Sequence, residues 1–232
     1  MQNELLILLA GIEQEPWKSR TQECWDTWAG LFKRLGYTVK AFTMKPDLKT
    51  DYKLEGDVLW VKAEVDVYQG GTTRLLNSFK WVLEQTSFTH ALLVDNDTFV
   101  HPQRFIKAFL ECKEKYKDNF DYWGCCHPIR ADLGFGIGTN TQHIVHQGMS
   151  FNFAPWDGEE RVYERPYKEH FANGAGYVLS RKAMECVLRE TKIKDHYGDL
   201  ALEGCSFEAC NDRVVGRSLT IFSGIRLIHD GR

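Results

Sequence analysis

The chain has 232 residues, enough for one large domain or two small ones, and a composition rich enough in apolar and aromatic residues to fill a sizeable core. Its net charge is only −3 and it has no long basic run, which argues against nucleic acid or an anionic membrane as the main partner. No stretch approaches the roughly 18 consecutive apolar residues that mark a membrane-spanning helix.

MQNELLILLAGI has an apolar centre but no basic flank and no small-residue cleavage pattern, so it reads as a first strand rather than a signal peptide. RTQECWDTWAGLFKRLG follows, with Cys24, Trp28, Leu31, Phe32 and Leu35 at helical spacing and Gly36 as a stop. YTVKAFT and GDVLWVK are a second and a third strand. TTRLLNSFKWVLEQ predicts a helix behind a Thr cap, with Leu75, Leu76, Phe79, Val82 and Leu83 on one face. HALLVD is a fourth strand, and PQRFIKAFLECKEKY an amphipathic helix with Pro102 at a favourable first position.

This alternation over residues 1–116 predicts an α/β fold, a parallel sheet with helices on both faces joined by right-handed crossovers. The second half is less regular. DYWGCCHP reads as a strand, and residues 130–167, rich in Gly, Asn, Pro and aromatics, predict hairpins and long loops. FANGAGYVLSRKAMECVLRE reads as a Gly-rich turn, a short strand and a helix, and EACNDRVVGRSLTIF as a helix entered from a loop. With no repeats, no linker and no low-complexity segment, a single domain is expected. The cysteines, Cys24, Cys112, Cys125, Cys126, Cys186, Cys205 and Cys210, form no CxxC pair, so no zinc site of the usual spacing is indicated. Buried thiols in a reducing compartment are the simplest account, and one or two disulfides remain compatible with it.

The fourth strand runs straight into Asp95-Asn96-Asp97. Ligand sites in open α/β sheets lie just past the carboxyl ends of such strands. In extended chain, residues two apart point to one side, and two convergent carboxylates suit a divalent cation with oxygen ligands. The plainer alternative is a turn capped by Asp95 with Asp97 in solvent.

Two enzyme families share this pattern. LLVDNDT resembles the nucleophile motif of haloacid dehalogenase-type phosphatases, in which Asp95 would attack phosphorus and Asp97 act as general acid and base. GDLALE at 198–203 imitates that family's late element. Yet KIKDHY, not an apolar strand, precedes it, and three strands precede the first motif, which should lie near the start of the fold.

The wider sequence resembles the β-1,3-glycosyltransferases of family 31, which include Fringe and the core 1 galactosyltransferases. The resemblance runs in order along most of the chain. An Arg and a Thr-Trp follow the first strand, here Arg20 and Thr27-Trp28. The stretch DVLWVKAEVDVYQGGTTRLLNSFKW carries Asp57, Asp66, Tyr68, Thr72 and Arg74, with Arg standing for the usual Lys. DNDTFV replaces a run of three acids, Asn96 standing for the middle one. NGAGYVLSR and NDRVVGRSL complete the set, with Asp212 kept and Asn211 in place of a Glu.

This resemblance implies a GT-A fold over residues 1–232: a Rossmann-like, mostly parallel sheet with helices on both faces and a loop-rich acceptor half. The nucleotide-sugar-binding half would span about 1–100 and the acceptor and catalytic half about 101–232. It implies a metal-dependent inverting transfer of a hexose or N-acetylhexosamine from a nucleotide sugar, a UDP-sugar foremost, to a carbohydrate or glycoprotein acceptor, in β-1,3 linkage. The expected cofactor is Mn²⁺ or Mg²⁺. Asp97 would be the direct metal ligand, Asp95 would bind through water or hold the ribose, and His229, the only late His, is a candidate for a further ligand. Its plainer reading is an exposed tail residue. Asp212 would be the general base, or else a helix N-cap, with Asp199 as the fallback. Arg20, Asp57, Arg74, Asp95 and Asn96 would contact the donor, and Gly174, Ala175 and Gly176 would let the backbone approach sugar or acceptor closely.

Trp123, Trp156, Phe171 and Tyr177 could stack on sugars or pack the core. His143 and His146 have i, i+3 spacing, but a Gly- and Asn-rich loop is a poor setting for a metal site. Members of the family usually carry an N-terminal anchor and work in the Golgi. The expectation is therefore a Golgi lumenal enzyme if an anchor has been removed, and a cytoplasmic one if the chain is complete. A third class is a non-catalytic sugar-nucleotide or glycan-binding protein of the same fold.

Overall fold

The computed structural model describes residues 4–63, 70–128, 143–146, 149–152, 161–163, 170–192, 211–225 and 227–229. Its strands are, in chain order, β1 (Leu5–Ala10), β2 (Thr38–Met44), β3 (Tyr52–Glu55), β4 (Val58–Val61), β5 (His90–Val94), β6 (Tyr122–Pro128), β7 (His143–His146), β8 (Met149–Asn152), β9 (Arg161–Tyr163), β10 (His170–Ser180) and β11 (Leu227–His229). The helices are α1 (Trp17–Cys24), α2 (Gly30–Arg34), α3 (Gly71–Gln85), α4 (Pro102–Tyr116), α5 (Arg181–Glu190) and α6 (Asn211–Arg217).

One sheet organises the molecule, in the order β3-β4-β2-β1-β5-β10-β6-β11-β9. β1, β2, β4, β5, β6 and β11 run one way, and β3, β9 and β10 the other. The mostly parallel α/β architecture expected from the sequence is the one found. β1 shows why it folds so. All six of its residues are buried, and successive side chains alternate between two cores. Leu6, Leu8 and Ala10 join Leu75, Phe79 and Val82 of α3, Met184 and Val187 of α5, and Val215 of α6. Leu5, Ile7 and Leu9 join Cys24 of α1, Trp28, Phe32 of α2, and Phe109 and Cys112 of α4. Truncating any of these leucines to Ala would cost about 2–5 kcal/mol.

Three local expectations are corrected. The helix after β1 is interrupted by a π-helical turn, Trp25–Ala29, where Thr27 leaves helical geometry (φ −111°, ψ −105°). Gly30 permits it, since a Cβ there would lie 2.4 Å from the Trp25 carbonyl oxygen. α3 has no Thr cap: Gly70, at φ +90°, precedes the helix and no side chain caps it. β3 is absent from the sequence expectation because its exposed YKLE lacks apolar alternation; it forms a hairpin with β4 around Gly56.

The hairpin expected within 130–167 appears as the antiparallel β7–β8 pair. Cys24, Cys112 and Cys186 are free and buried, as expected; the other cysteine side chains lie outside the described residues. Among the described residues, no helix is long and apolar enough to cross a membrane.

Candidate active site

β5 delivers the carboxylates to the carboxyl edge of the sheet, where the chain turns instead of staying extended. The Thr98 amide donates to the Asp95 carbonyl at 3.2 Å, closing a turn over Asp95–Thr98. The expectation that Asp95 and Asp97 share one side through extended geometry is therefore corrected. The turn gives its three side chains different surroundings: Asp97 is exposed, Asp95 half-buried and Asn96 buried. Burial pushes the Asp95 carboxyl up to about 6; Arg74 opposes that rise and the Asp97 carboxylate adds to it.

Asn96 turns its side chain to α1. Its Nδ2 donates to the Trp17 carbonyl at 2.9 Å and to Thr21 Oγ1 at 3.1 Å, both on α1. Its amide hydrogens are used inside the protein, on α1.

Arg74 sits in the first turn of α3 and is 6% exposed. Its Nη1 donates to the Gly11 carbonyl at 3.3 Å and its guanidinium lies 5.2 Å from the Phe42 ring centroid. Nε has no hydrogen-bond partner among the described residues. Burial lowers the Arg74 pKa, while Asp95, Tyr177 and Asp212 raise it. A cation so deeply buried is tolerable only with opposite charges close by. Asp212, half-buried in the first turn of α6, is one of them. It also acts, after burial, on the phenol of Tyr177, which is pushed well above its usual range. Residues 74, 95, 177 and 212 thus form one electrostatic cluster, drawn from four elements.

The Gly-rich segment is a bulge in a continuous strand, not the turn expected. Tyr177 of β10 pairs with Leu93 of β5 and with Gly124 of β6, yet Ala172 pairs with Cys126. Five steps along β10 therefore match two along β6, so that Asn173–Gly176 stand against Cys125 alone and bulge beside the end of β5. Gly176 has φ +146°, which L side chains rarely adopt. Bulges of this kind commonly flank active sites. Gly174, Ala175 and Gly176 therefore lie at the expected edge. Gly124, which sequence reasoning missed, seats the bulge: a Cβ there would lie 2.8 Å from Ala172 Cβ and 2.9 Å from Tyr177 Cβ. A glycine inside an apolar strand run was the available signal.

The other expected residues divide. Arg20 belongs to the helix that Asn96 grips, with its guanidinium 4.6 Å from the Trp17 ring centroid. Asp57 does not belong to this site. It precedes β4, at the opposite edge of the sheet, and pairs with Lys33 and, at 3.0 Å, with Lys40. The Lys33 hydrogen bond holds its carboxyl below the usual range. His229 is no tail residue: it ends β11, opposite Gly124, on the carboxyl edge, and its side chain lies outside the described residues. Asp199 and Trp156 lie outside them altogether, as do the side chains of Phe171, His143 and His146. Trp123 is core, packed against Phe105 and Phe120. Tyr177 is buried and belongs to the cluster.

A cleft of about 330 Å³ adjoins this edge, lined among others by Gly11, Thr21, Trp25 and Thr43. It is at the small end of ligand pockets. The buried Thr43 hydroxyl has no partner among the described residues. A larger hollow, about 700 Å³, lies at the opposite edge around His90 and Lys182 and includes none of the expected site residues.

Residues 35–211 match the family model described as galactosyltransferase. That stretch contains Arg74, the Asp95–Asp97 turn and the bulge, and stops one residue short of Asp212. Residues 95 and 97, on which the phosphatase reading rested, fall inside it. The chain is similar to the UDP-GalNAc:beta-1,3-N-acetylgalactosaminyltransferase 2 of Homo sapiens, at 24% identity over 153 residues. It is similar to the protein of the same name from Xenopus laevis, at 24% over 144 residues. These alignments cover 66% and 62% of this chain but only 26% and 25% of the relatives, so the chain spans about a quarter of their length. Among solved structures, mannose-1-phosphate geranyltransferase from Thermus thermophilus is similar at 13% identity with a TM-score of 0.42, over 99% of this chain and 74% of that one. With more than half of its length matched by the family model and its motifs in the family's order, the chain belongs to the galactosyltransferase family, the family 31 its sequence resembles.

Proposed function

We propose that this chain is an inverting glycosyltransferase that moves a hexose or N-acetylhexosamine from a nucleotide sugar, a UDP-sugar, to a hydroxyl of a glycan or glycoprotein, in β-1,3 linkage. The observation that carries the reading is the meeting of Asp95, Arg74 and Asp212 in one cluster, from segments far apart in sequence, at the sheet edge where α/β folds hold ligands. Family membership supports the donor class, and the relatives' name includes UDP-GalNAc.

The residues fit a divalent cation of the Mn²⁺ or Mg²⁺ kind. Among the described residues no three His, Cys, Asp or Glu side chains gather into a cage. An exposed Asp97 beside Asp95 suits an ion that completes its shell with phosphate oxygens and water. His229 is the candidate for a further ligand. Bound there, the cation would neutralise charge on the departing diphosphate.

The chain's own groups do the rest. Arg74, whose Nε has no partner among the described residues, supplies fixed positive charge beside the carboxylates. Arg20 extends that charge along α1. The bulge at Gly174–Gly176 admits backbone close to the sugar. Asp212 takes the proton of the acceptor hydroxyl as that oxygen attacks the anomeric carbon opposite the leaving group. One base and direct displacement turn an α-linked donor into a β-linked product.

The test is a screen of UDP-, GDP- and TDP-sugars with Mn²⁺ or Mg²⁺ and a set of glycan acceptors. Transfer from a UDP-sugar that stops in excess chelator is the expected result. Phosphate release from monoesters without sugar transfer would overturn the reading. Metal-dependent UDP binding without turnover of any donor would point to the non-catalytic binder.

A further inference from the structure

We infer that Asn96 is a positioning residue: its amide clamps the turn carrying Asp95 and Asp97 onto helix α1 and ligates neither cation nor donor. The functional half of this inference rests on the donor site proposed above; the clamp itself stands on geometry alone.

Asn96 is 7% exposed, between two carboxylates that are not buried to that degree. Its Nδ2 faces two oxygens, the Trp17 carbonyl at 2.9 Å and Thr21 Oγ1 at 3.1 Å. The Thr21 hydroxyl has one proton, and it is directed to the same Trp17 carbonyl, at 3.0 Å. Both oxygens therefore turn lone pairs towards residue 96. An amide supplies two N–H groups, whereas a carboxylate would set oxygen against the Trp17 carbonyl in a part-buried place. This explains why the middle of the DND motif departs from a run of acids.

The backbone of Asn96 is held too, with the Cys24 thiol 3.5 Å from its carbonyl oxygen. Trp17, Thr21 and Cys24 are spaced i, i+4 and i+7, one stripe of α1. The turn is thus docked along a helix face that also carries Arg20 over the Trp17 ring. Metal ligands and a donor-side cation become one rigid unit, as supporting contacts do for metal sites generally.

The test uses the full chain with Thr21→Val, Asn96→Ala, the double variant and Thr21→Ser. The first readout is amide exchange at Thr98, whose N–H closes the turn on Asp95, in ligand-free protein. Exchange should quicken about tenfold in Thr21→Val and in Asn96→Ala, the effect expected of losing a part-buried hydrogen bond. The second is calorimetric affinity for UDP with Mn²⁺, which should weaken about tenfold in each. Both variants break one clamp, so the double variant should be no worse than the worse single one. Thr21→Ser keeps the hydroxyl and should behave as wild type. Asn96→Ala that weakens UDP binding while Thr98 exchange is unchanged, or losses that multiply in the double variant, would overturn the inference and place Asn96 on the ligand. If wild type binds no UDP with Mn²⁺, the proposed function fails, and the exchange measurement still decides the clamp.

Discussion

Arg74 in the first turn of α3 and Asp95 at the end of β5 are electrostatic partners at the carboxyl edge of the sheet, one buried and the other half-buried. The guanidinium keeps the Asp95 carboxyl from rising beyond about 6, and the carboxylate in turn helps Arg74 remain charged in place. Removing one partner of such a pair is costly, roughly 3–5 kcal/mol when both are fully buried and less where one is half-exposed. Arg74→Ala should lower stability by ~2–4 kcal/mol in urea denaturation, and weaken UDP binding in protein that remains folded. Unchanged stability would mean that the pair carries no such coupling.

Asp95 makes stability depend on pH in a direction opposite to most carboxylates. Its folded pKa, about 6, lies above the ordinary 3.8, so the folded state holds a proton that the unfolded chain has lost. The penalty is absent below the unfolded value and complete above the folded one. Relative to wild type, Asp95→Asn should gain stability as pH rises from 4 to 7, by up to ~3 kcal/mol from a shift of about two units. Denaturation curves at pH 4, 5, 6 and 7 check the sign; a difference that shrinks with rising pH contradicts it.

His90 works in the other direction. It starts β5 at the opposite sheet edge, its ring nitrogens meeting Thr89 Oγ1 and the Phe120 carbonyl. Burial lowers its pKa below the ordinary 6.5. The unfolded chain then takes up a proton that the folded one refuses, so stability is lost as pH falls below 6.5 towards the folded value. His90→Gln should flatten the acid limb of the curve. The same acid loss in that variant would exclude His90 as the cause.

Gly124 supports the bulge, so Gly124→Ala should destabilise by about 1–3 kcal/mol, as overpacking does, and lower transfer activity by displacing Asn173–Gly176. Gly11→Ala, whose Cβ would meet nothing closer than 3.5 Å, is the stability control. Equal melting temperatures for the two variants would contradict the packing argument.

Much of this frame is readable from residue order. An uninterrupted apolar run marks β1 and β5 as central strands, and the carboxylates after Val94 have only one edge to occupy. Asp57 misleads because it also adjoins a strand; which end of β4 it sits on decides its edge, and it precedes the strand. The bulge reads as a turn because its glycines signal freedom of backbone without saying that pairing resumes on both sides. Asn96 groups with its neighbours since nothing in a three-residue motif shows that its middle member faces a helix 75 residues earlier in the chain. β11 and β3 are too short or too polar to show periodicity.

Asp212 carries the catalytic claim, and the most direct measurement is the comparison of wild type with Asp212→Asn in transfer from a UDP-sugar with Mn²⁺, alongside calorimetric UDP binding. A base acting only in the transition state lowers kcat, here by about 10²–10⁴-fold, and leaves donor affinity nearly intact. An Asp212→Asn variant that binds UDP as wild type does and transfers almost no sugar is the predicted result. A variant that still transfers at the wild-type rate, with Asp199→Asn inactive instead, would contradict the account.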